Sequence, residues 1–233
     1  MHWPLCFSIC GKTSGFKRWI EISKTESAAK QIKRFKEINP GGEWTSGEIK
    51  SACYTLCRGH ALLNNAVNWI DPKAGRSGPS ANVRGLQWRL VMAYAGLEIL
   101  IKTVQHGQPI TPAGLKELLN RLETPAIEPI APPKPKKAAF EKWLKGDGAT
   151  EKALDFLGVE KGDRNVVKEW FVGQKPIEDW VNVVLLAKAL RNMCAHASLS
   201  ANKCSEFGFE RPMTDIPDHL NKLAETIFEE LAS

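Results

Sequence analysis

Apolar residues recur every three or four positions along several segments of the chain, which is the spacing of one face of an α-helix. The segments that show this pattern are 45–70, 81–105, 111–122, 176–196 and 216–231. No pair of segments alternates apolar and polar residues as paired β-strands do. The pattern therefore predicts an all-α protein.

Local signals indicate where some of these helices begin. Thr45 and Glu48 fit a capping box at the start of the first long helix. Pro176 suits the first turn of the fourth segment. The last helix is expected to begin after residue 215, with Pro217 in its first turn.

The helix predicted over 176–196 is apolar on two faces. At about 100° per residue, its core face holds Trp180, Val183, Val184, Ala187, Leu190 and Cys194. A second face is apolar until its last turn, where it carries Asn192 and His196. A helix of this kind is either central to a bundle or shared with a second subunit.

The helical pattern is interrupted twice, which divides the chain into three parts. Residues 1–45 form a basic N-terminal extension, in which a helical stretch predicted over 16–37 ends at a Pro-Gly-Gly breaker. Five closely spaced prolines, followed by short segments broken at glycines, make 124–177 a Pro-rich linker with a small helical insert. Residues 46–123 and 178–233 together form the predicted bundle, within which 198–213 is expected to be a loop.

Composition excludes several classes of protein. The chain is 43% hydrophobic and 25% charged, which excludes a disordered chain. The net charge is +6, and eight basic residues against four acidic ones lie in 1–45, whereas 178–233 is acidic. This surplus permits an acidic partner such as RNA without establishing one. No apolar run approaches the roughly 18 residues of a membrane span, and no secretory signal is visible, so we expect a cytoplasmic protein without a membrane segment.

Six cysteines include two pairs spaced C-x3-C, Cys6 with Cys10 and Cys53 with Cys57. That spacing puts both sulfurs on one face of a helix, as a metal site requires, but zinc sites more often show C-x2-C with a matching second pair. Reduced cysteines buried as small hydrophobic residues are the favoured interpretation. The sequence therefore predicts neither a metal site nor a cofactor.

Two ionisable residues of the first long helices can be interpreted, His60 on the apolar stripe of the first helix and Glu98 in the middle of the second. His60 is interpreted as a hydrogen-bonded core residue, because a lone histidine on an apolar stripe usually has that role. Glu98 lies in the second long helix, four residues before Lys102. Either a salt bridge within the helix or a buried carboxylate that orients a neighbouring basic residue accounts for it.

Arg191 and His196 are the residues best suited to chemistry. Arg191 falls within the core stripe of its helix, where a guanidinium needs a partner acid or a cavity that binds an anion. His196, at the end of the same helix, is the best candidate for proton transfer near neutral pH. In the alternative interpretation, Arg191 pairs with Glu98 or another acid, and His196 caps the helix C-terminus.

Residues 189–196, with the sequence ALRNMCAH, resemble the R-x4-6-H signature of the HEPN family (higher eukaryotes and prokaryotes nucleotide-binding). Asn192 directly after the arginine and Ala195 before the histidine are frequent parts of that signature, whereas Ala197 stands where a glycine is usual. Residues 92–102 are similar to the second-helix pattern of many HEPN proteins. The resemblance covers the predicted bundle but neither the extension nor the insert.

The resemblance implies a HEPN-like up-and-down bundle of four to five helices that forms a homodimer. Many HEPN proteins are metal-independent endoribonucleases in which two copies of the motif meet. A nuclease of this type is expected to act in phage defence or in a toxin–antitoxin pair. The resemblance also implies a role for each residue of the motif. His196 is a general base or acid, Arg191 stabilises charge on the phosphoryl oxygens, and Asn192 orients the histidine or the phosphate. Cleavage by the RNA 2′-OH would leave a 2′,3′-cyclic phosphate.

Other HEPN proteins are non-catalytic, and the resemblance therefore leaves a second function open. In that alternative the bundle is a helical module that binds nucleotide, RNA or a protein partner. The basic extension 1–45 and the insert 124–177 are the segments where a protein partner or an inhibitor would engage.

Overall fold

The computed structural model describes residues 14–69, 79–136, 146, 148–196 and 199–233. Within these ranges all regular secondary structure is helical, and an isolated bridge joins Ile130 to Ile177. The predicted all-α class is confirmed, while the HEPN-like arrangement stays a prediction. The start of the predicted extension, the Cys6 and Cys10 pair and Ala197 lie outside the described residues.

The helices are numbered in chain order. Those before the Pro-rich linker are α1 (Ser14–Thr25), α2 (Ala28–Ile38), α3 (Ser46–Val67), α4 (Pro79–Val104) and α5 (Pro112–Leu119). Those after it are α6 (Ala149–Phe156), α7 (Arg164–Val167, continued by a π-helical turn over Lys168–Val172), α8 (Trp180–Ala195), α9 (Ala201–Phe207) and α10 (Glu210–Leu231). None of these described helices combines the length and apolarity that crossing a membrane requires.

Helix α4 lies at the centre of the bundle and contacts α3, α8, α9 and α10. It runs antiparallel to α3. Gly96 meets Gly59, and Arg89, earlier in α4, donates through its Nε to the carbonyl of Ala66, later in α3, at 2.8 Å. The two glycines allow a close crossing: a Cβ atom on Gly96 would lie only 2.6 Å from the carbonyl oxygen of Gly59. The α3–α4 pair is therefore packed backbone against backbone at this point.

Capping side chains set where two of the long helices begin. The predicted capping box is present at α3, where Thr45 Oγ1 accepts the Glu48 N–H at 3.3 Å and the Thr45 N–H donates to Glu48 Oε2 at 2.7 Å. The predicted start of α8 at Pro176 is wrong. Asp179 is the N-cap, and its carboxylate accepts the N–H of Asn182 at 2.9 Å, which satisfies a donor that the first turn leaves without an intrahelical partner.

The predicted start of the last helix is also wrong. Helix α10 begins at Glu210, so Pro217 lies inside the helix rather than in its first turn. The added turns are stabilised by tertiary packing, because Pro212 and Met213 are buried in the core. The segment 198–213, which the sequence predicted to be a loop, contains α9.

Residues 14–45 pack onto the bundle through aromatic side chains. Phe16, Trp19 and Phe35 are each at most 3% exposed and belong to the same core as α3 and α10. The N–H of Phe16 also donates to Glu225 Oε2 of α10 at 3.3 Å. The described part of the predicted extension is therefore continuous with the core of the bundle.

The Pro-rich linker is tied to the bundle by its backbone carbonyl groups. Pro125 O accepts a hydrogen bond from Trp180 Nε1 at 2.9 Å, and Ala131 O accepts one from Trp170 Nε1 at 3.2 Å. Trp170 belongs to the π-helical turn and stacks on Phe209, with ring centroids 5.8 Å apart. The linker and the insert are therefore held against the bundle, the linker through Pro125 and the insert through Trp170.

Candidate functional site

Helix α8 carries the three residues that the sequence predicted to do chemistry: Arg191, Asn192 and His196. Helix α4 packs against it on one side, and α5 and α7 also contact it. Leu185 and Ala189, on the second apolar face, are almost fully buried within the single chain. The sequence allowed α8 to be either central to the bundle or shared with a second subunit, and the structure shows it as a central helix of the bundle.

Arg191 is held against α4 by a carboxylate and an aromatic ring. Its Nη2 donates to Glu98 Oε2 at 2.8 Å, and its guanidinium carbon lies 4.8 Å from the centre of the Tyr94 ring. Lys102 Nζ binds the other oxygen of Glu98, also at 2.8 Å. Glu98 thus forms a salt bridge within α4 and orients a neighbouring arginine at the same time. The Arg191 side chain is 24% exposed, so solvent reaches part of it.

Asn192 lies against the insert. Its Nδ2 donates to Glu160 Oε1 at 3.2 Å, and Lys188 Nζ, one turn earlier on α8, donates to Glu160 Oε2 at 2.6 Å. Asp163, three residues after Glu160, places its Oδ2 3.2 Å from the same Lys188 Nζ. A single surface carboxylate is therefore held by two side chains of α8, with a second carboxylate behind the lysine.

The charges around this end of α8 are balanced. Three cations face three carboxylates there: Lys102, Lys188 and Arg191 with Glu98, Glu160 and Asp163. The Lys188 hydrogen bond lowers the pKa of Glu160, whereas burial raises the pKa of Asp163. A phosphate group that enters here must therefore compete with carboxylates already bound to the cations.

His196 is the C-cap of α8, and its side chain is exposed. Its backbone N–H donates to Asn192 O at 3.0 Å, which closes the last turn. It lies five positions after Arg191, so the two side chains leave the helix about 140° apart. No hydrogen bond or ring contact joins these two described side chains. The structure thus places both predicted residues at one helix end without bringing them together within one chain.

Sequence reasoning missed Glu160, Asp163 and Lys188. Lys188 falls between the two apolar faces of α8, where a lysine is ordinarily solvated, so its position carries no signal of a site. The two acids lie in a short polar turn of the insert. Nothing in the spacing of the chain links that turn to α8, because their contact depends on how the insert packs.

The cysteines that α3 carries are partly buried thiols. Burial raises the pKa of Cys53 and of Cys57 to about 11 in each case, so both stay protonated near neutral pH. Cys53 Sγ contacts Gln31 Oε1 at 3.7 Å. Among the residues that the structure describes, no group of three or more His, Cys, Asp and Glu side chains is placed to hold a metal ion.

His60 lies in the core, as its stripe predicts. Its ring stacks on that of Phe16 with centroids 3.4 Å apart, and its Nε2 lies 4.0 Å from Glu225 Oε1. Neither of these two atoms has a hydrogen-bond partner in the described part of the chain, so the predicted hydrogen bond is missing at Nε2. Burial lowers the pKa of His60 to about 4 and raises the pKa of Glu225.

The chain matches no protein-family model, no curated protein and no solved structure. The HEPN resemblance therefore depends on the motif between Arg191 and His196 and on the residue pattern of α4.

Proposed function

We propose that the chain is a metal-independent endoribonuclease of HEPN type that acts as a homodimer. The observation that carries the proposal is the exposed imidazole of His196, five residues after an arginine that Glu98 and Tyr94 hold in place. Among the described residues, only Nη2 of the Arg191 guanidinium donates a hydrogen bond. The Nε of Arg191 is buried, so a phosphoryl oxygen would bind another donor of the group. An arginine oriented in this way loses little conformational freedom on such binding.

The proposed chemistry needs proton transfer and charge stabilisation. The 2′-OH of the RNA attacks the adjacent phosphorus, so that the 2′-O–P bond forms and the P–O5′ bond breaks. One imidazole takes the proton from the 2′-OH, and a second, protonated imidazole gives a proton to the departing 5′ oxygen. Arg191 donates to the phosphoryl oxygens, where negative charge grows in the transition state. The products are a 2′,3′-cyclic phosphate and a 5′-hydroxyl.

A second copy of the chain is part of the proposal for a geometric reason. Arg191 and His196 of one chain point about 140° apart, so they do not both reach one phosphate from the same helix. Two copies related by a two-fold axis would supply two imidazoles and two guanidinium groups at one seam. Each phosphodiester would then meet groups from both chains.

The outer side of α4 is the surface where we place the second copy. Trp88 is 59% exposed there. Its neighbours on that side are apolar and only partly buried: Val91, Ala95 and Ile99. Trp88 and Lys102 lie seven residues on either side of Ala95, so an antiparallel two-fold pairing about Ala95 puts each indole against the partner's Lys102, a favourable cation–π contact. The surface borders Glu98 and therefore the Arg191 site.

Light scattering on Trp88→Glu tests this interface. We expect the wild type to have the mass of two chains of 25.9 kDa each and the variant to be a monomer, because a buried carboxylate is costly at an apolar seam. Phe156→Glu is the matched control, since Phe156 on α6 is also 59% exposed, and it should stay dimeric. If the wild type has the mass of a single chain, the proposed dimer is contradicted, and so is the site that the two chains would share.

Cleavage of a labelled RNA oligonucleotide in EDTA tests the enzyme itself. We expect products ending in a 2′,3′-cyclic phosphate, and a loss of at least about a hundredfold in rate in His196→Ala, the usual contribution of a general acid or base. His106→Ala, at another exposed histidine, is the control and should cleave normally. Undiminished cleavage by His196→Ala would show that the assignment is wrong.

A second candidate function is a non-catalytic HEPN-like module that binds nucleotide, RNA or a protein partner. The contacts within the chain favour it, because Arg191 is paired to Glu98 and Asn192 is bonded to Glu160. Arg191→Ala separates the two candidates. In an enzyme the wild type cleaves RNA and Arg191→Ala loses that cleavage while circular dichroism still shows a folded protein. In a structural module the wild type cleaves nothing, and the loss of the pair with Glu98 appears only as a lower unfolding temperature.

A further inference from the structure

The carboxylate of Glu160 is bound to α8 as an anionic ligand would be. Each of its oxygens accepts a different donor, Oε2 from Lys188 Nζ at 2.6 Å and Oε1 from Asn192 Nδ2 at 3.2 Å. The hydrogen bond from Lys188 and, to a smaller extent, the charge of Arg191 lower the pKa of this carboxyl. The surface of α8 here therefore favours a negative charge with two acceptor oxygens.

The ligand-like carboxylate and its donors differ in exposure. The Glu160 side chain is 56% exposed, whereas Lys188 is 22% exposed and Asn192, which Glu160 covers, is only 7% exposed. The exposed carboxylate is readily hydrated when it moves into solvent, so the cost of its departure lies in the donors that it leaves without an acceptor. A buried amide donor needs an acceptor in its place, so the departure of Glu160 favours the entry of another anion.

We propose that Lys188 and Asn192 form a phosphate-binding subsite for the RNA backbone, which Glu160 occupies until a phosphodiester displaces it. The inference rests on the proposed function. The two non-bridging oxygens of a phosphodiester offer the same pair of charged acceptors as the carboxylate. Asp163 stays beside Lys188 in either state and keeps the ammonium group in position.

The place of the subsite on the helix defines its role. Lys188, Arg191 and Asn192 stand at positions i, i+3 and i+4, which form one surface of α8. This surface leads from the His196 end back along the helix. A strand with its scissile phosphate near His196 therefore places a neighbouring phosphate over the subsite. Lys188 is in this account a positioning residue that holds the strand in register.

Affinity for an RNA that cannot be cleaved tests the subsite. The probe is a short fluorescein-labelled oligonucleotide with 2′-O-methyl groups throughout, which lacks the attacking hydroxyl, and binding is read by fluorescence anisotropy. Glu160→Gln removes the competing charge at constant size, so we expect its Kd to fall about tenfold. Adding Lys188→Met to that variant should abolish the gain.

Glu151→Gln is the matched control. Glu151 is also in the insert, is 51% exposed and is ion-paired to Arg164, so its neutralisation changes net charge equally without opening the subsite. We expect the Kd of this variant to stay within about twofold of the wild type. Equal Kd values for Glu160→Gln and Glu151→Gln, with both proteins folded by circular dichroism, would overturn the proposal.

The remaining outcomes are also decisive. If Glu160→Gln does not fold, Glu160→Asp keeps the charge but shortens the reach to Asn192, and a smaller gain in affinity is then expected; no gain overturns the subsite. Because the probe resists cleavage, the result is independent of nuclease activity. A gain in affinity without cleavage of unmodified RNA rejects the enzyme and keeps the subsite, whereas cleavage without a gain does the reverse.

Discussion

Two histidines of the chain lie in contrasting surroundings, His60 in the core and His196 at the end of a helix. His60 stacks on Phe16, and burial lowers its pKa to about 4. His196 is exposed at the C-cap of α8, on the same helix end as a guanidinium already oriented by Glu98. An imidazole that stays neutral in the core supports packing, whereas an exposed one can exchange protons with a substrate. Surroundings, rather than residue type, separate the two roles.

The glutamates of the two regions differ in the same sense. Glu98 binds two cations, one through each oxygen. Glu225 has no such cation: one oxygen accepts the N–H of Phe16, and the other has no hydrogen-bond partner among the described residues. The core region should therefore respond most to lost volume, and the end of α8 to lost charge.

The largest effect on stability is expected in the core region. Phe16 is 3% exposed and contacts the rings of Trp19, His60 and Phe228, so Phe16→Ala should lower the free energy of unfolding by about 3–5 kcal/mol. Urea denaturation measures it, with the exposed Phe156→Ala as control at about 0.5 kcal/mol or less. A loss below about 1 kcal/mol would show that α1 does not stabilise the bundle.

A smaller effect concerns the dependence of stability on pH. The folded-state pKa of His60 is lowered from 6.5 to about 4, so its contribution is present above pH 6.5 and is lost as the pH falls towards 4. The loss amounts to about 2–3 kcal/mol. The pKa of Glu225 is raised in the folded state, so the protonation of Glu225 stabilises the fold as the pH falls and offsets part of the loss from His60. In His60→Gln the free energy of unfolding, measured by urea titration, should fall less between these pH values; equal falls contradict the cause given.

The smallest effect is expected from one lost charge at the end of α8. Glu98→Gln leaves Arg191 partly buried without its carboxylate, which should cost about 1–2 kcal/mol of unfolding free energy. Glu117→Gln is the control, because Glu117 also pairs with an arginine, Arg121, but is 66% exposed. Its cost should be close to zero. Equal costs for the two variants in urea denaturation would mean that Glu98 does not hold Arg191.

Much of the bundle could be predicted from local signals. The capping box of Thr45 and Glu48 is present, and every apolar residue predicted for the stripe of the last helix is buried: Ile216, Leu220, Leu223, Ile227 and Leu231. The errors lie where tertiary contacts override local preference. Pro176 does not begin α8, because the next residue, Ile177, pairs with Ile130 of the linker, a partner that no local pattern reveals.

The candidate site could be predicted only in part. The pairing of Arg191 with Glu98 was one of two interpretations of the sequence, and the structure shows it. The contact between Asn192 and Glu160 joins residues 32 positions apart and depends on how the linker and insert pack. In the proposed dimer, Arg191 and His196 converge only across two copies of the chain, and the periodicity of one chain does not describe such a pairing.

The close crossing of α3 and α4 links the shape of the bundle to the chemistry proposed for it. At Gly59 and Gly96 each backbone fills the space that a side chain of the other would need. One added methyl group at either glycine must force the two helix axes apart. Because Glu98 follows Gly96 by two residues on the same rigid helix, that displacement carries the carboxylate with it. The distance between α3 and α4 thus sets the position of the carboxylate that orients Arg191. An added methyl group on the α3 side of α4 would shift that carboxylate and change the orientation of the guanidinium.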